Sequence, residues 1–263
     1  MPDLITSPQN PRVKQVVRLR DRRHRDEEGL LLVEGAFELA LALAGGAHPQ
    51  TVYYCPALAS NIDELLAQSK RAGAETLEVN KPVLEKMAYR ENPDGVIAVL
   101  PMIRRGLNDL PISDRPLYIV AEAVEKPGNL GALLRSADAA GATGVIVCDP
   151  ATDLSNPNVV RSSRGTLFTV PVAEASTPET IAWLRKQNVS IVAATPQASL
   201  TYTQADLRGP VAIAVGTEDQ GLTSAWLTQA DIQVRIPMQG QVNSLNVATA
   251  ATLLLYEALR QRT

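Results

Sequence analysis

The chain contains 263 residues, of which 45% are hydrophobic, and its formal net charge is −3. This length allows two domains with sizeable cores, and a membrane-spanning helix is excluded because no apolar run approaches the roughly 20 residues that cross a bilayer. The opening segment has no hydrophobic stretch of the signal-peptide kind, so we expect a cytoplasmic protein.

The first hundred residues alternate short apolar runs, such as GLLLVEG and GVIAVLPM, with stretches of helical period, such as AFELALALAGG and IDELLAQSKRAG. This alternation predicts an α/β domain, which we place at residues 1–108. Both histidines, His24 and His48, lie in this part of the chain. Chemistry in the remainder must therefore proceed without imidazole, the commonest general base near neutral pH, which disfavours most hydrolases.

A basic segment, residues 10–25, stands out against the acidic average. Its cations are Arg12, Lys14, Arg18, Arg20, Arg22, Arg23 and Arg25, and from Arg12 to Arg25 the only acid is Asp21. One interpretation is a solvated helix face that Asp26, Glu27 and Glu28 neutralise. The other is a docking surface for a polyanion, which gains weight only if other features indicate nucleic acid.

A proline-containing linker, PMIRRGLNDLPISDRP, precedes a second domain that we place at residues 112–263. Nearly uninterrupted apolar strands, among them PLYIVAEAV, GVIVCD, SIVAAT and VAIAVG, alternate there with helical segments. Such strands are typical of a mostly parallel sheet covered on both faces. Cys55 and Cys148 lack metal-ligand spacing, so we expect buried, unreactive thiols and no metal site.

Three loops rich in glycine and small polar residues follow strands of this second domain: Lys126–Arg135, Gly216–Leu222 and Ile236–Asn246. Ligands of parallel sheets bind beyond the carboxyl ends of strands, so together the loops indicate a site. Each loop alone has a structural explanation, with Asn129 or Ser244 serving as a helix N-cap.

The first loop also resembles a dinucleotide-binding turn, because Asp149 ends the next strand about 20 residues after Gly128. The glycine fingerprint is broken, however, since Leu130 and Leu133 occupy two of its glycine positions. A nicotinamide-dependent dehydrogenase therefore stays only a minor alternative.

The segments PGNLGALLRSADAAGA, AVGTEDQGL and IPMQGQVNSLNVATAATLLLYEAL resemble, in this order, the three motifs of the SpoU (TrmH-like) family of RNA ribose 2′-O-methyltransferases in the SPOUT superfamily. More loosely, NPRVK, LLVEG and NPDGVIAV are similar to the substrate-binding domain that precedes the catalytic domain in many members. The resemblance implies an L30e-like α/β domain, then a SPOUT α/β domain with a C-terminal trefoil knot. It also implies bound S-adenosylmethionine and a homodimer.

The resemblance further implies roles for single residues. The polar active-site positions are Asn129, Arg135, Glu218, Ser244 and Asn246. The expected cofactor contacts are Gly216, Ile236, Leu245, Met238 and Thr195. Arg161 and Arg164, together with the basic segment, are expected to contact RNA phosphates, although this pair could also be simply solvated.

Arg135 is the residue expected to contribute most directly to methyl transfer. Transfer of a methyl group to a ribose hydroxyl needs the nucleophile positioned and its proton removed, yet a guanidinium holds its own proton tightly. We therefore expect Arg135 to clamp the phosphate and stabilise the developing alkoxide, and the proton acceptor stays open. The structural alternative is a surface arginine paired with Asp138.

The predicted substrate is large-subunit ribosomal RNA, with transfer RNA as an alternative. A non-catalytic RNA-binding or ribosome-assembly factor on the same fold also stays open, because a fold does not fix an activity. Aromatic residues make up only 4% of the chain, so we expect recognition of RNA shape rather than a base-stacking platform.

Overall fold

The computed structural model describes residues 4–217 and 219–263, and the chain divides into two compact units. The first unit comprises residues up to Ile103 together with Asp153–Thr169, and the second comprises Arg104–Thr152 and Val170–Thr263. The boundary that the sequence predicted, between residues 108 and 112, lies a few residues after this division. A single linear boundary also places residues 153–169, an excursion of the chain away from the second unit, in the second domain. In the structure that excursion groups with the first unit.

The elements follow one another as the hydrophobic pattern predicts, with strands and helices alternating. In chain order they are α1 (Pro11–Arg18), α2 (Arg22–Glu28), β1 (Leu30–Glu34), α3 (Ala36–Ala44), β2 (Thr51–Tyr54), α4 (Asp63–Arg71), β3 (Glu75–Glu78), α5 (Lys81–Met87), β4 (Val96–Pro101), β5 (Leu117–Glu122), α6 (Pro127–Ala139), β6 (Gly144–Cys148), α7 (Pro157–Ser162), α8 (Thr166–Thr169), β7 (Val172–Ala175), α9 (Thr177–Lys186), β8 (Ser190–Ala194), β9 (Leu200–Thr201), β10 (Val211–Val215), α10 (Ser224–Gln229), β11 (Ile232–Arg235) and α11 (Val247–Arg262).

In the first unit, four strands form a mixed sheet in the order β1-β4-β2-β3. Strand β4 pairs antiparallel with β1 and β2, whereas β2 and β3 are parallel. Helix α1 is part of the fold and not a loose arm, because Val13, Val16 and the following Leu19 are buried in a core with Leu32 and Met87. Apolar residues of α7 and α8 are also buried, and these helices contact β1 and α3.

In the second unit, the described residues form a seven-stranded sheet in the order β7-β6-β5-β10-β8-β11-β9. Every described pair in this sheet is parallel, which confirms the predicted α/β class. Strands β7 and β9 were not anticipated, because one has a half-polar sequence, VAEA, and the other has only two residues.

Helices cover both faces of this sheet. On one face, α9 and α10 supply Trp183 and Trp226 to a core that includes Tyr118 of β5, and the rings of Tyr118 and Trp183 meet edge to face with centroids 5.4 Å apart. On the other face, α6 and α11 pack against each other and α11 contacts β5 and β10. No helix among the described residues is long and apolar enough to cross a membrane.

Candidate active site

The three predicted loops emerge at one edge of the parallel sheet. Strands β5 and β10 are neighbours, β8 lies beside β10, and β11 lies beside β8, all running in the same direction. The loops that follow these four strands therefore leave from the same edge. Because neighbouring strands lie about 4.8 Å apart, the four carboxyl ends span only about 14 Å, which suits a nucleotide-sized ligand.

The first and third loops are joined by a direct hydrogen bond. The amide Nδ2 of Asn246 donates to Oδ1 of Asn129 at 3.0 Å, although 117 positions separate them in sequence. Asn246 also caps α11, because its Oδ1 accepts from the backbone N–H groups of Ala248 at 3.0 Å and Thr249 at 3.4 Å. These bonds fix which end of the amide faces Asn129.

This geometry corrects two alternative interpretations. Ser244 is not the N-cap of the closing helix, since α11 begins at Val247 and Asn246 is its cap. Asn129 is not a cap either, because α6 begins at Pro127 after Lys126. Ser244 is exposed in the loop before α11, so its side chain is available to a ligand.

Helices α6 and α11 run side by side in the same direction. Seven residues after Asn129, the hydroxyl of Ser136 lies 2.7 Å from that of Thr252, which is six residues after Asn246. Positions seven apart lie on the same face of a helix, so one face of α6 meets α11 at both points. The N-terminal ends of both helices therefore meet beside the Asn129–Asn246 pair, with their partial positive charges turned to the same place.

Arg135 lies on a different face of α6, as its apolar neighbours require. Leu130, Leu133, Leu134 and Ala137 are buried, whereas Arg135 is exposed. Within the described residues Arg135 makes no hydrogen bond or ion pair, and the alternative pairing with Asp138 is not formed. Arg135 lies about 9 Å along the helix axis from Asn129.

The second loop is folded tightly onto itself. Thr217 and Gly221 exchange two backbone hydrogen bonds, at 3.1 and 3.0 Å, directly after β10. A Cβ on Gly216 would lie 2.2 Å from the carbonyl carbon of Gly221, so a side chain at this position is excluded. Glu218, predicted as an active-site acid, lies outside the described residues.

The comparisons with known proteins agree with this arrangement. The family model described as SpoU rRNA Methylase matches residues 116–256, and an MRM3-like substrate binding domain model matches residues 10–98. The chain belongs to the SpoU rRNA methylase family. This membership confirms the resemblance inferred from the three motifs and removes the dehydrogenase alternative.

Individual relatives match along nearly the whole chain. A solved RNA 2′-O ribose methyltransferase is 45% identical, with a TM-score of 0.85 and 99% of each chain covered. An AdoMet-bound rRNA methyltransferase from Sinorhizobium meliloti is 33% identical, with a TM-score of 0.92 over 99% of this chain and 98% of the other. A 23S rRNA (uridine(2479)-2′-O)-methyltransferase from Streptomyces viridochromogenes is 34% identical over 93% of this chain and 87% of its own length.

The sequence interpretation missed one buried acid at this edge of the sheet. Glu122 ends β5 and is only 2% exposed. Its Oε2 accepts from the backbone N–H of Thr223 at 2.8 Å, and its Oε1 accepts from the hydroxyls of Thr223 at 2.7 Å and Thr177 at 3.3 Å. Glu122 thus ties the end of the Gly216–Leu222 loop to the central strand. An acid ending an otherwise apolar strand was the signal in the sequence.

The predicted cofactor positions differ in burial. Thr195 is buried after β8, its N–H donates to the carbonyl of Val234 at 2.9 Å, and its hydroxyl contacts Gln197. Ile236, Met238 and Leu245 are half-buried in the loop that precedes α11. Thr195, Gly216 and Ile236 directly follow β8, β10 and β11, which are neighbours in the sheet and end at the same edge.

The cations of the basic segment are mostly engaged with the protein itself. Arg25 is 1% exposed, and its guanidinium donates to the Leu19 and Arg20 carbonyls and to both carboxylate oxygens of Asp153, at 3.2 and 3.0 Å. The prediction that Arg25 contacts RNA is wrong, because a buried guanidinium with these partners cannot reach a phosphate. Arg20 is half-buried and donates to the carbonyls of Lys86 and Ala88.

The exposed members of this segment have weaker partners. Arg22 pairs with Asp26 at 3.5 Å and Arg23 with Glu27 at 2.7 Å, as the solvated-face interpretation expected. Arg12 pairs with Glu75 at 2.5 Å, while Lys14 and Arg18 are exposed. Surface pairs of this kind are worth less than about 1 kcal/mol, so a polyanion can displace them.

The remaining predictions concern two arginines, two cysteines and metal binding. Arg161 and Arg164 are exposed in the first unit. Cys55 and Cys148 are buried and free, as expected, and burial raises the pKa of the Cys148 thiol to about 12. Across the described part of the chain, no group of His, Cys, Asp and Glu could hold a metal ion.

Proposed function

We propose that this protein transfers a methyl group from S-adenosylmethionine to a ribose 2′-hydroxyl of large-subunit ribosomal RNA. The observation that carries the proposal is the hydrogen bond between Asn129 and Asn246, which joins the first and third motifs near an exposed Arg135. Two of the relatives named above are RNA or rRNA 2′-O-methyltransferases and the third is an AdoMet-bound rRNA methyltransferase, which supports the same reaction and substrate.

The cofactor would be held beyond the carboxyl ends of β8, β10 and β11. Gly216 admits a close approach of its backbone, and Thr195, Ile236, Met238 and Leu245 supply the surrounding wall. When bound, S-adenosylmethionine supplies an electrophilic methyl group on a sulfonium. The chain would hold it next to the N-terminal ends of α6 and α11.

The remaining polar groups would act on the nucleotide. Asn129 and Asn246 are already oriented by their mutual bond and by the α11 cap, so they can position the ribose without a conformational search. Arg135 would bind the adjacent phosphate and stabilise the oxygen as its proton leaves, since it has no competing protein partner among the described residues. Ser244 and Glu218 complete the predicted set.

The assembly expected for this enzyme is a homodimer whose subunits each contain a trefoil knot. One face of α11 supports a dimer, because Thr249, Leu253, Tyr256 and Arg260 recur at helical spacing and are all exposed. Leu253 is 37% and Tyr256 46% exposed, so this face presents apolar surface that a second subunit could cover. The strand order supports a knot, since the late strands β10 and β11 lie between earlier ones.

Residues 1–108 would bind the RNA and residues 112–263 would carry catalysis, in the cytoplasm and without a metal. Lys14, Arg18, Arg22 and Arg23 stay candidates for phosphate contacts because they are exposed, with Arg12 after release from Glu75. Arg20 is the weakest candidate since carbonyl groups already hold its guanidinium.

Two measurements test this function. Calorimetry of the purified protein should show binding of S-adenosylmethionine, and mapping of ribose methylation across total RNA should reveal one 23S site that disappears in a deletion strain. Loss of a transfer RNA methylation instead would move the substrate to transfer RNA. Absence of any cofactor heat would favour a non-catalytic RNA-binding factor.

A further inference from the structure

Two exposed aromatic side chains of the first unit each lie beside an exposed arginine. Among its described residues, Phe37 is 54% exposed and Tyr89 41%, whereas Tyr53 and Phe168 are buried. Arg164 lies against Phe37, and Arg161 lines the same shallow pocket as Tyr89. We call Phe37, Tyr89, Arg161 and Arg164 the Phe37 face.

The backbone conformation at Arg164 and Gly165 positions the Arg164 side chain against Phe37. The guanidinium carbon of Arg164 lies 5.1 Å from the centroid of the Phe37 ring, within the range of a cation–π contact. Arg164 has a φ of +54°, a conformation that non-glycine residues seldom adopt. The following Gly165 has a φ of +87°, and a Cβ there would lie 2.9 Å from Cβ of Leu41. Glycine at this position lets α8 approach α3 and keeps Arg164 next to Phe37.

Buried or half-buried charged side chains contact residues of the Phe37 face and hold them in place. Glu38, which is 2% exposed, accepts from Arg90 at 3.0 Å and lies 3.7 Å from Nε of Arg164. Glu34 accepts from the backbone N–H groups of Tyr89 and Arg90, and Arg90 also donates to the carbonyl of Glu34 at 2.9 Å. The loop that carries Tyr89 is therefore fixed relative to α3.

The groups that the Phe37 face exposes to a ligand are aromatic rings and guanidinium groups. The Tyr89 hydroxyl receives a hydrogen bond from Asn158 at 3.0 Å, which orients its ring beside Arg161. Arg161 makes no ion pair with any described residue, and the side chain of Arg164 stays 59% exposed despite its contact with Glu38. Exposed rings stack on unpaired bases, and guanidinium groups bind phosphates or stack on bases in turn.

We propose that the Phe37 face binds unpaired nucleotides of the RNA substrate, with a base stacked on the Phe37–Arg164 pair and with Arg161 on a phosphate. The proposal rests on the proposed function, because it takes RNA as the substrate. It differs from the sequence-based expectation in giving base contacts to the substrate-binding region and in locating them away from the surface cations of α1 and α2.

The test is binding of the full-length protein to an in vitro transcript of 23S ribosomal RNA. Phe37→Leu keeps an apolar side chain but removes the aromatic face, and Arg164→Gln removes the cation. Each should raise the Kd about tenfold, the change expected for one lost stacked base. Phe37→Tyr should bind within about twofold of the parent protein, since stacking is retained.

The matched control is Arg71→Gln, which removes another exposed arginine of the first unit that is paired only with Glu64. It should leave the Kd unchanged, and calorimetry with S-adenosylmethionine should be the same for every variant. Ultraviolet light should cross-link the RNA to Tyr89, and tryptic digestion should then release the RNA on the peptide Met87–Arg90.

The outcomes separate the two proposals. If Phe37→Leu and Arg164→Gln bind like the parent while methylation continues, the Phe37 face is not an RNA contact and the proposed function stands. If the parent protein binds the cofactor but not the transcript, both fail. Cross-links confined to peptides of α1 and α2 would also overturn the proposal.

Discussion

The basic segment at residues 10–25 and the single arginine of α6 make an instructive contrast. Seven cations crowd the first region, yet Arg25 is buried against Asp153 and Arg20 is held by carbonyl groups. Arg135 is one arginine among small and apolar residues, yet it is exposed and has no partner among the described residues. Local charge density therefore says little about which guanidinium groups are available to a ligand.

The largest expected effect is on Arg135. Arg135→Ala should lower the methyl-transfer rate by about 100- to 1000-fold, the loss typical of removing one group that stabilises a developing oxyanion. Affinity for S-adenosylmethionine should stay within about twofold, because the cofactor positions lie in other loops. Asp138→Asn, on the same exposed part of α6, is the control. Near-normal turnover of Arg135→Ala would remove Arg135 from the reaction.

Arg25 should behave in the opposite way. Arg25→Ala leaves Asp153, which is 12% exposed, without its cation, and breaking such a buried pair costs about 3–5 kcal/mol of unfolding free energy. Arg23→Ala removes an exposed pair and should cost less than about 0.5 kcal/mol. Urea unfolding measures both. Equal stability losses in the two variants would contradict the contrast between buried and exposed arginines.

Glu122 should couple stability to cofactor binding. Glu122→Ala leaves the N–H and hydroxyl of Thr223 without their acceptor, which should cost about 1–3 kcal/mol. Because Thr223 directly follows the Gly216–Leu222 loop and anchors its end to Glu122, calorimetry should also show weaker binding of S-adenosylmethionine. The control for a purely structural loss is Thr180→Val, because the buried Thr180 hydroxyl donates to the carbonyl of Ser176 at 2.9 Å. An unchanged cofactor Kd in folded Glu122→Ala would limit the role of Glu122 to stability.

The surface cations of α1 and α2 should have smaller, additive effects. Neutralising Arg22 and Arg23 together should reduce the slope of log Kobs against log salt by about 1–2, if both contact phosphates. Arg20 should contribute less, since its guanidinium already donates to two carbonyls. Filter binding over a salt series measures the slopes, and an unchanged slope for Arg22 and Arg23 would leave them as a solvated face.

The smallest expected effect concerns Cys148. Burial raises the pKa of its thiol to about 12, so only about one molecule in ten thousand carries the thiolate at pH 8. Alkylation by iodoacetamide at pH 8 should therefore fail in the folded protein and succeed in urea. Rapid labelling of native Cys148 would show that the second unit opens locally.

Much of the fold could be predicted from the hydrophobic pattern. Strands such as β5 and β10 are uninterrupted apolar runs, and the buried leucines of α6 follow the helical period, so both were recognised. The excursion 153–169 groups with the first unit although it lies beyond the linear boundary, because its sequence specifies two short helices but not which core covers them. Residue patterns within an element reveal its type, whereas its neighbours depend on the path of the chain.

By itself, the sequence determined the family, the order of elements and the residue types of the candidate site. Only the tertiary structure decided that Asn246, and not Ser244, caps α11 while bonding to Asn129. Only the tertiary structure also separated Arg25 from Arg22, two arginines of one short helix with opposite exposure. The physical reason is that desolvation and hydrogen-bond partners come from distant segments, so a charged residue acquires its role only when those segments meet.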